Sequence, residues 1–309
     1  MTAIGIKKVR KILGSRPDRH QISLANRRAA MDAMGSQAEL PSDIVLQTLE
    51  LGGVKCEILS LKKDPLLDEP FTRSILYVHG GAFVAGSPKS HRGLGIAFCR
   101  EVKAKVIMLD YRLAPENPFP AAITDVISAY REMRSSPDKF GPIAMVGDSA
   151  GAGALISALM VLRDKGDKLP EVAACISPWL DLSCSFDSYT RLADSDPFLS
   201  KEGLEQDAAS FLGGTDPKNP LASPIFADPK GLPTMLIQVG SEEILIDEIV
   251  EFTENVTRAG GNITLEIWPE MIHVFHGFSA LLPDGVKATK RLGQFISENL
   301  GQFISEKKQ

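Results

Sequence analysis

The sequence predicts an α/β domain built on a parallel sheet covered by helices on both faces. Short apolar runs recur at Ser74 to Val78, Lys105 to Leu109, Pro142 to Val146 and Val172 to Ile176, and helical stretches lie between them at Arg92 to Val102, Ala121 to Ser135 and Ala150 to Asp164. A strand apolar on both faces needs cover on both sides, and strand–helix alternation supplies it through parallel crossovers. The third observation is a junction. The run Pro142 to Val146 ends in Gly147-Asp148-Ser149-Ala150-Gly151, and small residues of helical character follow to Leu162.

A chain of 309 residues can form one large α/β domain or two small ones. Hydrophobic content of 44% and charged content of 24% are ordinary for a soluble globular protein. With a net charge of −5 and no basic patch or tail, no nucleic-acid partner is expected. No apolar run reaches the roughly 18 residues a membrane-spanning helix needs. The basic segment Met1 to Arg19 has neither an apolar core nor a cleavage site, so no signal peptide is expected. Cys56, Cys99, Cys175 and Cys184 lack metal-like spacing, and Cys99 and Cys175 sit in apolar runs. Buried thiols in a reduced, cytoplasmic setting are expected.

Taken in order, Ile4 to Leu13 and Ile22 to Met34 carry helical periodicity, broken by Gly14 to Pro17, and Pro41-Ser42-Asp43 closes the segment. Val45 to Leu51 and Val54 to Leu61, joined by Gly52-Gly53, predict a hairpin, and Asp64 to Pro70 a turn or loop. After the alternating core, residues 183–222 are rich in Ser, Asp and Pro, with one amphipathic helix near Glu202 to Phe211 and the loop Gly213 to Pro217. They predict an insertion over the C-terminal ends of the strands. The alternation resumes with a strand at Thr234 to Val239, a helix at Ile246 to Ala259, a strand at Ile263 to Trp268 and a closing helix from Val286. The hexapeptide Gly293 to Glu298 recurs letter for letter at Gly301 to Glu306, eight residues on. Eight residues turn an α-helix roughly 80° past two full turns, so the copies cannot face the core alike. The second copy is expected to be a frayed tail.

The strand–turn–helix junction has the spacing G-x-S-x-G, in which tiny neighbours permit a strained serine to stand out from the sheet at a helix N-terminus. As a surface turn the pattern would mean little; its companions give it chemistry. Acyl transfer at a serine needs a nucleophile, a base, a group that orients the base and an oxyanion hole. His79-Gly80-Gly81-Ala82-Phe83 follows the strand ending at Val78. Glycines there let backbone N–H groups approach a carbonyl oxygen. Gly81, with Gly80 or Ala82, and Ala150 are the expected donors, with His79 and Asp148 in support. Of the five histidines, His20, His79 and His91 precede the serine, leaving His273 and His276 in the order Ser, acid, His. His273, in the loop after Ile263 to Trp268, is the expected base. The acid is sought after the strand ending near Gly240, where Glu242, Glu243 and Asp247 are candidates. Glu242 and Glu243, being consecutive, cannot both reach the imidazole.

These segments, with Asp110-Tyr-Arg-Leu-Ala-Pro-Glu116, Pro118 to Ala122, Ser177-Pro-Trp-Leu-Asp-Leu182 and His273-Val-Phe-His276, resemble the hormone-sensitive-lipase-like family of α/β-hydrolase carboxylesterases, the bacterial family IV esterases, over residues 74–280. The resemblance assigns the acid to Glu243, although the family usually writes aspartate there. Ala82 and Ala152 stand where the family pattern has glycine. The resemblance implies an α/β-hydrolase fold with a twisted, mostly parallel eight-stranded sheet and a helical cap from residues 1–43 and 183–222, leaving 44–182 and 223–309 as the catalytic domain. It further implies hydrolysis of short- to medium-chain acyl esters by Ser149, His273 and Glu243, no cofactor or metal, and a homodimer through the sheet edge. Arg112 and Glu116 are expected to hold the oxyanion loop by ion pairs. A lactone or xenobiotic-ester hydrolase would share the triad. A non-catalytic receptor, like the gibberellin receptors that resemble this family, would tend to lack the base.

Overall fold

The computed structural model describes residues 2–15, 21–35, 40–62 and 73–306. His20 and the loop expected at Asp64 to Pro70 lie outside them. Eight strands form one sheet: β1 (Ile44–Leu51), β2 (Val54–Leu61), β3 (Ser74–Val78), β4 (Lys105–Leu109), β5 (Ile143–Asp148), β6 (Val172–Ile176), β7 (Met235–Gly240) and β8 (Ile263–Trp268), in the order β1-β2-β4-β3-β5-β6-β7-β8. The pairings β1–β2 and β2–β4 are antiparallel and all others parallel. Gly52 and Gly53 turn the β1–β2 hairpin at φ 57° and 80°, the left-handed region that glycine enters without steric cost.

The helices are α1 (Thr2–Gly14), α2 (Leu24–Gly35), α3 (Pro88–Val102), α4 (Ala121–Ser135), α5 (Pro137–Phe140), α6 (Ser149–Asp164), α7 (Ser188–Arg191), α8 (Lys201–Leu212), α9 (Ile246–Arg258) and α10 (Pro283–Glu306). Alternate residues of one strand serve opposite layers, as the pleat requires. Ile75 and Tyr77 of β3 join Leu94, Phe98, Leu292 and Ile296 of α3 and α10. Leu76 and Val78 join the core formed with α4, α6 and α9. Every residue of β3, β5, β6 and β7 is buried, whereas the edge strands β1 and β8 are only partly covered. Each large apolar side chain so placed contributes about 1.5–3 kcal/mol relative to exposure, so the central strands contribute more to stability than the edges.

The segments outside the alternating core dock on its loops. Ile6, Val9 and Leu13 of α1 pack with Met271, Ile272 and Phe275. Arg27 of α2 forks onto both carboxylate oxygens of Asp207 in α8, at 2.8 and 2.6 Å. Helix α10 runs unbroken to Glu306, so the second GQFISE copy continues the helix rather than fraying. Leu300 at its start is fully buried.

Candidate active site

The junction of β5 and α6 fixes Ser149 at φ 53°. This left-handed conformation is costly for any residue but glycine and persists only where the surroundings impose it. They do so by close packing. A Cβ on Gly151 would collide with the carbonyls of Val78 and His79, and one on Gly147 would stand 2.9 Å from the Ala152 nitrogen. Gly151 thus lets α6 start directly against the end of β3, and Gly147 lets the turn close on the first residues of the helix. Ser149 is buried, with 8% of its surface exposed.

His273 and Glu243 come to this serine from the loops after β8 and β7. The His273 ring places Nε2 2.9 Å from Ser149 Oγ and Nδ1 2.9 Å from Glu243 Oε2. His273 and Glu243 are buried. The other Glu243 oxygen accepts from Ser177 Oγ at 2.7 Å and from the Gly240 N–H at 2.5 Å. With both oxygens engaged, the carboxylate has one orientation. Ser177 also accepts from the Val274 N–H at 3.3 Å, tying the loop after β6 to the histidine loop. Glu242 turns outward, with an oxygen 3.8 Å from Arg10, and Asp247 pairs with Arg191 at 2.6 Å. His276 lies deeper: its Nε2 donates to Gln238 Oε1 at 2.7 Å, and burial pushes its pKa down to about 3.

The loop after β3 carries three successive residues with positive φ, Gly81 at 122°, Ala82 at 55° and Phe83 at 63°. Gly80 donates its N–H to Asp148 Oδ1 at 3.1 Å. Among the described residues, the N–H groups of Gly81 and Ala82 make no such bond, and the first-turn N–H of Ala150 has no partner within its helix. His79 stacks on Tyr111 with ring centroids 4.3 Å apart. Its Nδ1 donates to the Gly80 carbonyl at 2.8 Å, and burial, helped by the neighbouring His91, lowers its pKa to about 3. His79 is therefore a neutral strut at neutral pH.

Arg112 does not hold this loop as expected, whereas Glu116 is tied to it through an ion pair with Arg28. Arg112 forks onto Asp125 of α4, and Glu116 pairs with Arg28 of α2. Arg28 in turn donates to the Val84 and Ala114 carbonyls. The partner of Arg112 comes from α4, a neighbour that the local segment does not specify. Further direct ties of the loop are the Tyr111 hydroxyl to the His79 carbonyl at 2.8 Å and the Ala114 N–H to the Phe83 carbonyl at 2.9 Å.

Two residues near the site were missed in the sequence. Asp196, in the segment between α7 and α8, accepts from the N–H groups of Phe198, Leu199 and Ile244, the last adjoining Glu243. Burial pushes its pKa up to about 6, opposed by His273 and reinforced by Glu243. In the sequence Asp196 is one of several Asp residues in the Ser-, Asp- and Pro-rich stretch 183–222, and no pattern singles it out. His91 of α3 reaches Asp148 Oδ2 at 3.3 Å, a contact between distant parts of the chain that no local pattern encodes. Phe211 of α8 stacks on Phe83 at 3.8 Å, and Phe198, in the segment before α8, stands 5.7 Å from the His273 ring.

Among the described residues, no cluster of potential ligands could hold a metal ion and no helix is long and apolar enough to cross a membrane. Residues 75–277 match a family model described as alpha/beta hydrolase fold. An acetyl-hydrolase of Streptomyces hygroscopicus is 45% identical over 72% of this chain and 75% of its own. Two crystal structures superpose over 96% of this chain. One is EstE5 soaked with p-nitrophenyl butyrate, at 37% identity, TM-score 0.88 and 99% of its own length. The other is an esterase from the bacterial hormone-sensitive lipase family, at 36% identity, TM-score 0.89 and 98% of its own length. With this sheet order and this serine junction, the chain belongs to the α/β-hydrolase family, in the branch of the bacterial hormone-sensitive-lipase-like esterases.

Proposed function

We propose that this protein is a serine carboxylesterase acting on short- to medium-chain acyl esters through Ser149, His273 and Glu243. The observation that carries the reading is the single buried imidazole whose two nitrogens lie 2.9 Å from Ser149 Oγ and 2.9 Å from Glu243 Oε2. A serine hydroxyl is a weak nucleophile until a neighbouring base takes its proton as it attacks. His273 Nε2 takes that proton while Oγ bonds to the ester carbonyl carbon. Glu243 holds Nδ1–H in place and stabilises the imidazolium. The carbonyl oxygen gains its negative charge against the N–H groups of Gly81, Ala150 and Ala82, while Gly80, engaged by Asp148, anchors the loop. His273 then gives the proton to the leaving alcohol, the C–O bond breaks, and water attacks the acyl-enzyme by the same route.

Residues 1–43 and 183–222 serve in this reading as the cap, with 44–182 and 223–309 as the catalytic domain. The Arg27–Asp207 fork and the Phe83–Phe211 stack support it, since they join the two cap segments to each other and to the oxyanion loop. The acetyl-hydrolase relative supports a short acyl group. The test is hydrolysis of p-nitrophenyl esters from acetate to palmitate by wild type and Ser149→Ala. Turnover should peak at short chains and fall by about four orders of magnitude or more in the variant. A folded wild type without activity on any chain length, or a variant with near-normal turnover, would overturn the reading.

A further inference from the structure

We infer that His91 is a positioning residue for the oxyanion loop, acting through Asp148. This rests on the reading of Ser149 as the nucleophile. The Asp148 carboxylate is buried one residue before it. Oδ1 accepts from the Tyr77 hydroxyl at 2.8 Å and the Gly80 N–H at 3.1 Å, and Oδ2 faces His91 Nε2 at 3.3 Å. A Cβ on Gly80 would collide with Oδ2, so the loop sits directly on this carboxylate. A buried anion needs a cation as well as donors.

His91 is the group placed to supply that cation. Its Nε2 faces Asp148 Oδ2 at 3.3 Å, and its Nδ1 lies 2.8 Å from Ser90 Oγ, an oxygen that also accepts from the Ser87 N–H at 2.8 Å. Both ring nitrogens thus have an oxygen within reach, the arrangement that an imidazolium, a donor at both nitrogens, requires. The surrounding groups offer no rival charge carrier. Burial drives the Tyr77 and Tyr111 hydroxyls well above their ordinary range, and His79 and His276 are neutral. Asp32 of α2 accepts from Ser87 Oγ at 2.5 Å and adds negative charge on the side of His91. Burial opposes charge on His91, but the charge and hydrogen bond of Asp148 outweigh it and raise its pKa. Asp148 is held below the ordinary carboxylate range in spite of burial, chiefly by His91.

An ionised Asp148 makes the Gly80 hydrogen bond charge-assisted, which strengthens it. Pinned there, Gly80 sets the aim of the next N–H groups, at Gly81 and Ala82. The arrangement holds while His91 is protonated and fails as pH rises through its raised pKa.

The experiment compares wild type with His91→Gln, whose amide keeps a donor but no charge. Active sites are titrated, and p-nitrophenyl butyrate hydrolysis is followed across pH. An alkyl trifluoromethyl ketone serves as a second probe. Ser149 Oγ adds to its carbonyl carbon, His273 takes the proton, and the new oxyanion sits in the hole. The variant should lose about tenfold in kcat with KM within about twofold, and bind the ketone about tenfold more weakly, a fraction of the loss from deleting an oxyanion donor outright. The His91-dependent alkaline limb should disappear. A folded variant with unchanged kcat and unchanged inhibition overturns the inference. So does a ¹⁵N NMR spectrum of histidine-labelled wild type that shows one unprotonated nitrogen on His91 at pH 7, a reading that needs no variant to fold. Wild type that hydrolyses no ester overturns the esterase reading instead.

Discussion

Glu242 and Glu243 are the same residue type one position apart, and their surroundings separate them. Glu243 is fully buried, with its oxygens divided between His273 and the donors Ser177 and Gly240. Glu242 is about a third exposed beside Arg10. An orienting acid acts by fixing the tautomer and meeting the imidazolium charge, and its loss in a serine triad costs about four orders of magnitude in kcat. Glu243→Ala is therefore expected to lower kcat on p-nitrophenyl acetate by about 10³-fold or more, and Glu242→Ala by less than about twofold. The reverse ranking would move the acid by one residue. From the residues alone the two glutamates and Asp247 were equivalent candidates; the family resemblance favoured Glu243, and the direction of each side chain came only from the fold.

At the scale of an element, α10 carries a peptide that occurs twice. In the first copy Phe295 and Ile296 are buried against α3 and the sheet, and Leu300 between the copies is fully buried. The roughly 80° offset expected from 3.6 residues per turn means that an eight-residue repeat cannot present the same face twice. Helix propensity and the preceding turns still extend the helix to Glu306, which hydrophobic phase alone did not foretell. Leu300→Ala should cost about 3 kcal/mol in chemical denaturation through lost transfer energy and a cavity. Removal of residues 302–309 should change stability by less than about 1 kcal/mol and leave ester hydrolysis intact. A truncation as damaging as Leu300→Ala would show that the second copy packs.

For the whole molecule, the pH dependence of stability is a sum of opposed buried groups. His79 and His276 are neutral in the fold, with pKa values pushed by burial from 6.5 to about 3. Between those values the unfolded chain binds more protons, so their contribution to stability is lost as pH falls below 6.5. Asp196, raised by burial to about 6, works the other way, because its cost disappears once it is protonated. His91, whose pKa is raised, contributes in full below the ordinary imidazole value and loses that contribution as pH rises through the folded one. A single variant isolates one term. The stability advantage of wild type over His276→Gln should shrink by about 2 kcal/mol between pH 7.5 and pH 5, measured by urea unfolding. An advantage that stays constant or grows would show that His276 takes up its proton in the folded state.

Much of this protein was written locally. Apolar runs of four to six residues between helical stretches can only be covered by alternation, so the sheet and its two layers followed from periodicity. The glycines around Ser149 are demanded by a turn that admits no side chain, and that demand is visible in the sequence. The chain order of serine, acid and histidine then marked the loops in which partners should be sought. What the tertiary structure alone decided are encounters between side chains remote in sequence. Arg112 found Asp125, Glu116 found Arg28, Asp196 reached the loop of Glu243, and His91 reached Asp148. A charged group takes whichever partner burial and geometry make cheapest, and that choice depends on distances the sequence does not contain.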